Sequence, residues 1–110
     1  MINVTMTESG KKLSLRVEGH AGYAEEGKDI VCASASILAY TVAQFVKEAE
    51  HKGDLVSPPH IHLEGGDTLV ACEPCEDTYN AVQSAYLFAK VGYALLAHNY
   101  PQYVRLNTLT

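Results

Sequence analysis

Residues 30–52 read IVCASASILAYTVAQFVKEAEHK, and their spacing predicts a long amphipathic helix. The apolar residues that share one helical face are Ala35, Leu38, Ala39, Val42, Phe45, Val46 and Ala49. Asp29 stands before the first turn as an N-cap residue, and Gly53 follows the last turn as a C′ residue. We therefore expect a well-defined helix that packs its apolar face against the rest of the domain.

The segments on either side of this helix predict β-hairpins. Before the helix, two short runs alternate apolar and polar residues and are separated by a glycine-containing turn; their apolar members are Ile2, Val4, Met6, Leu13, Leu15 and Val17. After the helix, Ile61/Leu63 and Val70/Cys72 flank the turn sequence at residues 65–67. Each hairpin is expected to bury one face.

A second helix is predicted over about residues 77–99, where Pro101 stops it, and a last strand over about residues 103–109. Four tyrosines recur every seven residues along it: Tyr79, Tyr86, Tyr93 and Tyr100. This spacing favours burial in the core, with a subunit interface as the alternative. The order ββαββαβ predicts an α+β fold: a small single domain, residues 1–110, with a mostly antiparallel sheet packed with two helices.

Composition limits the classes of function. The chain has 110 residues, 47% hydrophobic, and a net charge of −5 from 8 basic and 13 acidic side chains. We expect no direct nucleic-acid binding, because phosphate neutralisation requires basic residues. The odd cysteine count of 3 favours reduced thiols, and neither a signal peptide nor an uninterrupted apolar run of about 20 residues is present. A cytoplasmic protein that does not use a membrane is expected.

A long loop is predicted at residues 19–29, with Gly19, Gly22 and Gly27 in it. A histidine lies near its start and a cysteine shortly after its end. Loops of this length are either functional lids or plain connectors. Cys32 falls in the first helical turn, where amide dipoles favour a thiolate, and His20 lies at the other end of the loop. A thiolate near an imidazole can perform acyl transfer, with amides of the same turn stabilising the oxyanion. The structural alternative is a buried thiol and an ordinary strand-end histidine.

Two other groups of residues have the composition of a site. Cys72 and Cys75 form a C-x-x-C that resembles a thioredoxin-type redox motif, although the preceding strand reads as half of an antiparallel hairpin. The alternative is a pair of incidental reduced thiols. His60 and His62 suggest zinc, but strand parity turns them to the face opposite Cys72, so no metal site is expected.

The blocks GHAGYA at residues 19–24 and DIVCA at residues 29–33, with Ser36 four residues after the cysteine, closely resemble the ribosomal-processing cysteine protease Prp family. The resemblance implies a small α+β homodimer of the bacterial cytoplasm that needs no cofactor. It further implies removal of a short N-terminal extension from ribosomal large-subunit protein twenty-seven, the substrate and partner.

By the same resemblance, Cys32 matches the nucleophile and His20 the general base. Asp29 and Ser36 match supporting positions. Asp29 orients the site or the loop, or caps the helix, and these roles are compatible. Ser36 either touches the thiolate or the substrate, or bonds back to the Cys32 carbonyl. The departure is Ala35, where a larger β-branched residue is expected.

Gly22 and Gly27 would let the substrate loop, to which Gly19 also belongs, move as a lid. The resemblance leaves Cys72 and Cys75 unexplained. Two alternative functions therefore stay open: a thiol–disulfide oxidoreductase built on that pair, and a non-catalytic ribosome-assembly binding factor.

Overall fold

A computed structural model describes residues 1–25 and 27–109. Glu26 of the predicted loop and Thr110 of the predicted domain lie outside the described residues. The elements are β1 (Ile2–Ser9), β2 (Lys12–Glu18), α1 (Ile30–His51), β3 (His60–Glu64), β4 (Asp67–Cys72), α2 (Tyr79–Asn99) and β5 (Val104–Leu109). This order confirms the predicted α+β fold.

The strands form one sheet in the order β3-β4-β2-β1-β5. Neighbouring strands are antiparallel except β1 and β5, which run parallel, with Ile2 paired to Val104. Each hairpin closes through a two-residue turn, because Ser9 pairs with Lys12 and Glu64 pairs with Asp67. The sheet is therefore mostly antiparallel, as predicted, with its first and last strands side by side.

The core lies between one face of the sheet and the two helices. The buried strand residues are Ile2, Val4, Met6, Leu13, Leu15, Val17, Val70, Cys72 and Val104, while α1 buries Val31, Ala35, Ala39, Val42, Ala43, Val46 and Ala49. A Cβ atom added at Gly92 of α2 would lie 2.8 Å from the terminal carbons of Leu38 in α1, so the two helices approach closely there. By length and composition alone α1 could cross a membrane, which is also typical of a helix that packs in a protein core.

The tyrosine stripe of α2 is mainly structural. Tyr86 and Tyr93 are buried, and their hydroxyls donate to the carbonyl oxygens of Val70 at 3.0 Å and Ala35 at 2.9 Å. Ala35, where the resemblance implies a larger side chain, is fully enclosed. The prediction of structural burial is confirmed for the two central tyrosines.

The start of α2 differs from the prediction. A short 3-10 turn occupies Glu76–Thr78, and the α-helix begins only at Tyr79. The Thr78 hydroxyl donates to the carbonyl oxygen of Asp54 at 2.7 Å, which fixes this turn against the chain that follows α1. The tertiary contact explains why periodicity placed the helix start about two residues too early.

Candidate active site

An open cavity of about 790 Å³ lies at the N-terminal end of α1. Its lining includes His20, Gly22, Gly27, Asp29, Cys32 and Ser36, six of the residues singled out in the sequence. Gly19 lies beside the cavity, where its amide donates to the carbonyl oxygen of Gly66 at 2.9 Å. The fold thus brings the two sequence blocks together around one cavity.

Cys32 sits in the first turn of α1 and is half-buried. Its Sγ accepts a hydrogen bond from the backbone amide of Ala21 at 3.3 Å. Ala21 is itself buried, so the chain directly after His20 is held against the thiol. This hydrogen bond holds Sγ beside the loop, at the wall of the cavity.

The His20 side chain lies at the edge of the same cavity and is exposed. No hydrogen bond joins its ring to Cys32 Sγ among the described residues. The ring instead rests on the turn between β3 and β4, where a Cβ atom added at Gly66 would lie 2.6 Å from His20 Nε2. The imidazole and the thiol therefore line one cavity with no hydrogen bond between them among the described residues.

Asp29 uses its two carboxylate oxygens for two different tasks. Oδ1 accepts the amides of Val31 at 3.0 Å and Cys32 at 2.9 Å, which caps α1. Oδ2 accepts the amides of Tyr23 at 3.0 Å and Ala24 at 3.4 Å, which anchors the loop. The two roles weighed for Asp29 are therefore both present in the geometry.

These amides also set the charge of Asp29. Desolvation raises the pKa of its carboxyl, but the hydrogen bonds from Cys32, Ala24 and Tyr23 outweigh it. The pKa consequently lies below its usual value. The carboxylate form is the one that holds both the helix start and the loop.

The occupied amides correct one expectation about oxyanion donors. Asp29 takes the amides of Val31 and Cys32 through its side chain and that of Ala33 through its carbonyl oxygen at 3.0 Å. The first turn of α1 therefore has no amide left to offer an oxyanion at these three positions. The donor that points at the thiol comes from the loop, at Ala21.

The family follows from a comparison with known proteins. A family model described as cysteine protease Prp matches residues 1–105. The chain belongs to this family. The predicted membership and the predicted class of enzyme, a cysteine protease, are thereby confirmed.

Individual relatives of the Prp family agree with this assignment. The ribosomal processing cysteine protease Prp of Staphylococcus aureus is 27% identical over 95 residues, which cover 72% of this chain and 90% of that protein. The structure of the S. aureus protease with a covalently linked product peptide gives a TM-score of 0.76 at 25% identity, covering 98% and 99% of the two chains. The protein SMU.848 from Streptococcus mutans gives a TM-score of 0.69 at 26% identity.

Two tyrosines outside the Prp motif hold the loop. The Tyr23 ring packs edge-to-face on Tyr100, with 5.6 Å between centroids, and on Tyr103, with 5.3 Å. These contacts are not predictable from sequence patterns, because the partners lie far apart in the chain and a tyrosine repeat indicates burial first. With Asp29 on its other side, the loop is anchored twice.

Ser36 lies one turn after Cys32 and lines the cavity. Within the described residues, its hydroxyl makes no hydrogen bond to the Cys32 carbonyl, in contrast to Ser34, which bonds back to Ile30 at 2.7 Å. The geometry thus favours the interpretation in which Ser36 faces the cavity.

The C-x-x-C pair does not form a redox site of the thioredoxin type. Cys72 is 8% exposed, and burial raises the pKa of its thiol, although a contact with the Tyr86 hydroxyl at 3.6 Å lowers it in part. Cys75 points toward the carbonyl oxygen of Gly53, at 3.9 Å. An attacking thiol in such a motif needs exposure and a low pKa, and Cys72 has neither.

The two histidines of β3 face away from Cys72, as strand parity predicts. His60 pairs with Ala71 and His62 with Leu69, so both share the face opposite Val70 and Cys72. His62 instead approaches Glu64 and Asp67, each at 3.7 Å. Cys72 and these histidines therefore do not converge.

Proposed function

We propose that this chain is the cysteine endopeptidase that removes the N-terminal extension of ribosomal large-subunit protein twenty-seven in bacteria. The observation that carries the proposal is the half-buried Cys32 thiol in an open cavity, with the amide of Ala21 donated to its sulfur. The ribosomal processing role belongs to the S. aureus relative by its name. The shared family and cavity support its extension to this chain.

In the proposed mechanism Cys32 is the nucleophile and His20 the general base. A ring nitrogen of His20 accepts the thiol proton as Sγ bonds to the scissile carbonyl carbon, and the carbonyl electron pair moves to oxygen. The tetrahedral intermediate then expels the amine, which takes the proton from the imidazolium, and leaves a thioester. Water, deprotonated by His20, attacks the thioester, releases the carboxylic acid and restores the thiol.

We propose the amide of Ala21 as the donor that stabilises the tetrahedral oxyanion. It already lies 3.3 Å from Sγ, while the amides of Val31, Cys32 and Ala33 are occupied. One correctly placed donor of this kind is worth about 10²- to 10³-fold in rate. The glycines of the substrate loop, Gly22 and Gly27, let the backbone adjust over a bound peptide without side-chain clashes.

The decisive experiment is incubation of the purified protein with the extended ribosomal protein, read by mass spectrometry. The wild type is expected to release the extension, and Cys32→Ala and His20→Ala are expected to stop release while the protein stays folded. Cys75→Ala is the matched control, because it removes another half-buried free thiol that lies outside the cavity. Cleavage by Cys32→Ala contradicts the mechanism.

The same experiment tests the two other functions. An unchanged substrate mass together with a stable complex supports a ribosome-assembly binding factor and overturns the protease proposal. Reduction of insulin disulfides that requires Cys72 and ignores Cys32 supports the oxidoreductase, against which the burial of Cys72 already argues.

We also propose that the protein is a homodimer through the outer faces of its two helices. Large apolar side chains are exposed there: Ile37, Tyr40, Leu87, Phe88, Val91 and Leu95. An apolar cavity of about 330 Å³ lies between α1 and α2, and Phe88, 80% exposed, stands at its rim. A protruding ring and a cavity on the same face are self-complementary, which suits a second copy related by a two-fold axis.

Sedimentation of the purified protein tests this interface. The wild type is expected at twice the chain mass and Phe88→Glu at the chain mass. Asn99→Glu is the control, since it adds the same charge at an exposed position at the end of α2. A monomeric wild type, or a dimeric Phe88→Glu, contradicts the proposed face.

We propose the cytoplasm as the place of action and a protein, not a nucleic acid, as the direct partner. The free thiols Cys32, Cys72 and Cys75 suit a reducing compartment, and the net charge of −5 suits a basic ribosomal substrate. Cleavage activity is therefore expected in the cytosolic fraction of cells. The cleavage rate is expected to fall as the salt concentration rises, because salt screens the attraction between the two proteins. Activity confined to membranes, or binding to naked RNA, contradicts these expectations.

A further inference from the structure

We infer that Gly66 is a positioning residue for His20. The turn between β3 and β4 forms the surface on which the imidazole rests, and the missing side chain at Gly66 leaves room for the ring. The inference rests on the proposed function, in which His20 is the general base. No motif in the sequence links this turn to the site.

The sheet brings the turn to the histidine. Glu18 pairs with Asp67 at the end of the β2–β4 ladder, which places the chain leaving β2 beside the β3–β4 turn. The Gly19 amide then donates to the Gly66 carbonyl oxygen at 2.9 Å. His20 therefore begins one residue beyond a backbone hydrogen bond that fixes its strand end to the turn.

The ring itself contacts Gly66. A Cβ atom built on Gly66 would lie 2.6 Å from His20 Nε2 and 3.0 Å from Cε1. Carbon atoms do not approach other heavy atoms this closely, so any side chain at Gly66 displaces the ring. At Gly65, which lines the cavity, an added Cβ atom meets nothing within 4 Å.

The position of the ring matters because a general base acts only within hydrogen-bond reach of the proton it accepts. His20 is exposed, and the backbone of Gly66 limits the rotamers that its ring can sample. Contact with the turn reduces the number of orientations that the imidazole samples. A smaller set of orientations lowers the entropy cost of placing a ring nitrogen beside the thiol. If the ring is displaced, the substrate still binds but proton transfer to His20 is less efficient. General base catalysis of this kind contributes about 10²- to 10⁴-fold to the reaction rate.

Backbone strain is the competing explanation for any effect of a substitution here, because Gly66 has a φ of +79°. Gly53 supplies the control. It has the same φ of +79°, and an added Cβ atom there meets nothing within 4 Å. Gly66→Ala and Gly53→Ala thus share the strain, and only the first contacts His20.

The experiment compares kcat, KM and melting temperature for Gly66→Ala and Gly53→Ala on the extended ribosomal protein. Gly66→Ala is expected to lower kcat by about tenfold or more with KM changed less than about twofold. Gly53→Ala is expected to show a similar drop in melting temperature with an unchanged kcat. Equal kcat values for Gly66→Ala and Gly53→Ala, or a higher kcat for Gly66→Ala, overturn the inference.

A second measurement uses the wild type and needs neither activity nor a folded variant. Proton NMR is expected to show cross-relaxation between the His20 ring and the Gly66 Hα atoms, and its absence overturns the inference. If the wild type fails to cleave, or His20→Ala cleaves normally, the proposed function fails. The NMR contact reports the placement of the ring separately.

Discussion

Cys32 and Cys72 both stand at the end of an element, yet their surroundings are opposite. Cys32 lies in the first turn of α1, lines an open cavity and accepts an amide hydrogen bond from Ala21. Cys72 ends β4, is 8% exposed and lies 3.6 Å from the hydroxyl of Tyr86. Burial raises the pKa of the Cys72 thiol, so its neutral form is favoured.

The difference shows that the environment of a cysteine, more than its spacing, decides its chemistry. The C-x-x-C spacing suggests a redox pair, but strand alternation turns Cys72 into the core and leaves Cys75 near Gly53. Cys32 has no second cysteine nearby in sequence, yet it lines an open cavity and accepts a hydrogen bond from a backbone amide. Four predictions test this contrast.

The largest expected difference is in the alkylation of the native protein. Iodoacetamide is expected to modify Cys32 about 10³-fold faster than Cys72 or more, because Cys72 reacts only after the core opens. Peptide mapping by mass spectrometry measures both rates in one sample. Equal rates at the two thiols contradict the contrast.

The next prediction concerns the support of the Cys32 region. In Asp29→Asn only one of the two side-chain oxygens remains, and the NH₂ group that replaces the other cannot accept a hydrogen bond. Either the amide of Val31 at the helix start or the amide of Tyr23 in the loop therefore loses its acceptor. Cleavage is expected to fall about tenfold or more, since small displacements of a site are costly. Asp29→Ala loses both acceptors, so its cleavage rate is expected to be lower still. Its free energy of unfolding is expected to fall by about 1 kcal/mol as well. Steady-state kinetics measures the cleavage rate, and denaturant unfolding measures the stability. Wild-type activity in Asp29→Asn would show that cleavage does not depend on the paired hydrogen bonds of Asp29.

A smaller effect is expected in the Cys72 region. Tyr86→Phe removes the hydroxyl that donates to Val70 at 3.0 Å and is expected to lower the free energy of unfolding by about 1 kcal/mol. The rate of substrate cleavage is expected to stay at the wild-type value. Urea unfolding monitored by circular dichroism gives the first quantity, and a large loss of cleavage in this variant argues against a purely structural role.

The smallest effect is a pH dependence of stability. The folded-state pKa of Asp29 lies below the usual 3.8, so its contribution is complete well above that value and disappears as pH falls through the lowered pKa. The melting temperature of Asp29→Ala is therefore expected to approach that of the wild type in strong acid and to differ near neutral pH. Calorimetric scans of both proteins at several pH values check the sign, and a gap that widens in acid reverses it.

Sequence patterns predicted where the strands and helices lie better than they predicted which strands pair with each other. Alternation at residues such as Leu13 and Leu15, and the Asp29 cap, correctly located the hairpin and the start of α1, because these signals are local. The parallel pairing of Ile2 with Val104 was not predictable, since periodicity identifies the buried face of a strand and not its partner.

The site shows the same division. Residues with reactive side chains, Cys32 and His20, were identified in advance and line one cavity. The Ala21 amide and the Gly66 contact were missed, because each acts through backbone or through the lack of a side chain. Such roles become visible only once the sheet has joined segments far apart in the sequence.

The parallel pairing of β1 with β5 has a consequence for the time at which the loop becomes anchored during synthesis. Cys32 and His20 are translated well before Tyr100 and Tyr103, whose rings hold Tyr23. The first strand likewise waits for the last one to complete the sheet. A nascent chain thus carries Cys32 and His20 before Tyr100 and Tyr103 are available to hold Tyr23, and the loop gains its second anchor only after α2 has been added.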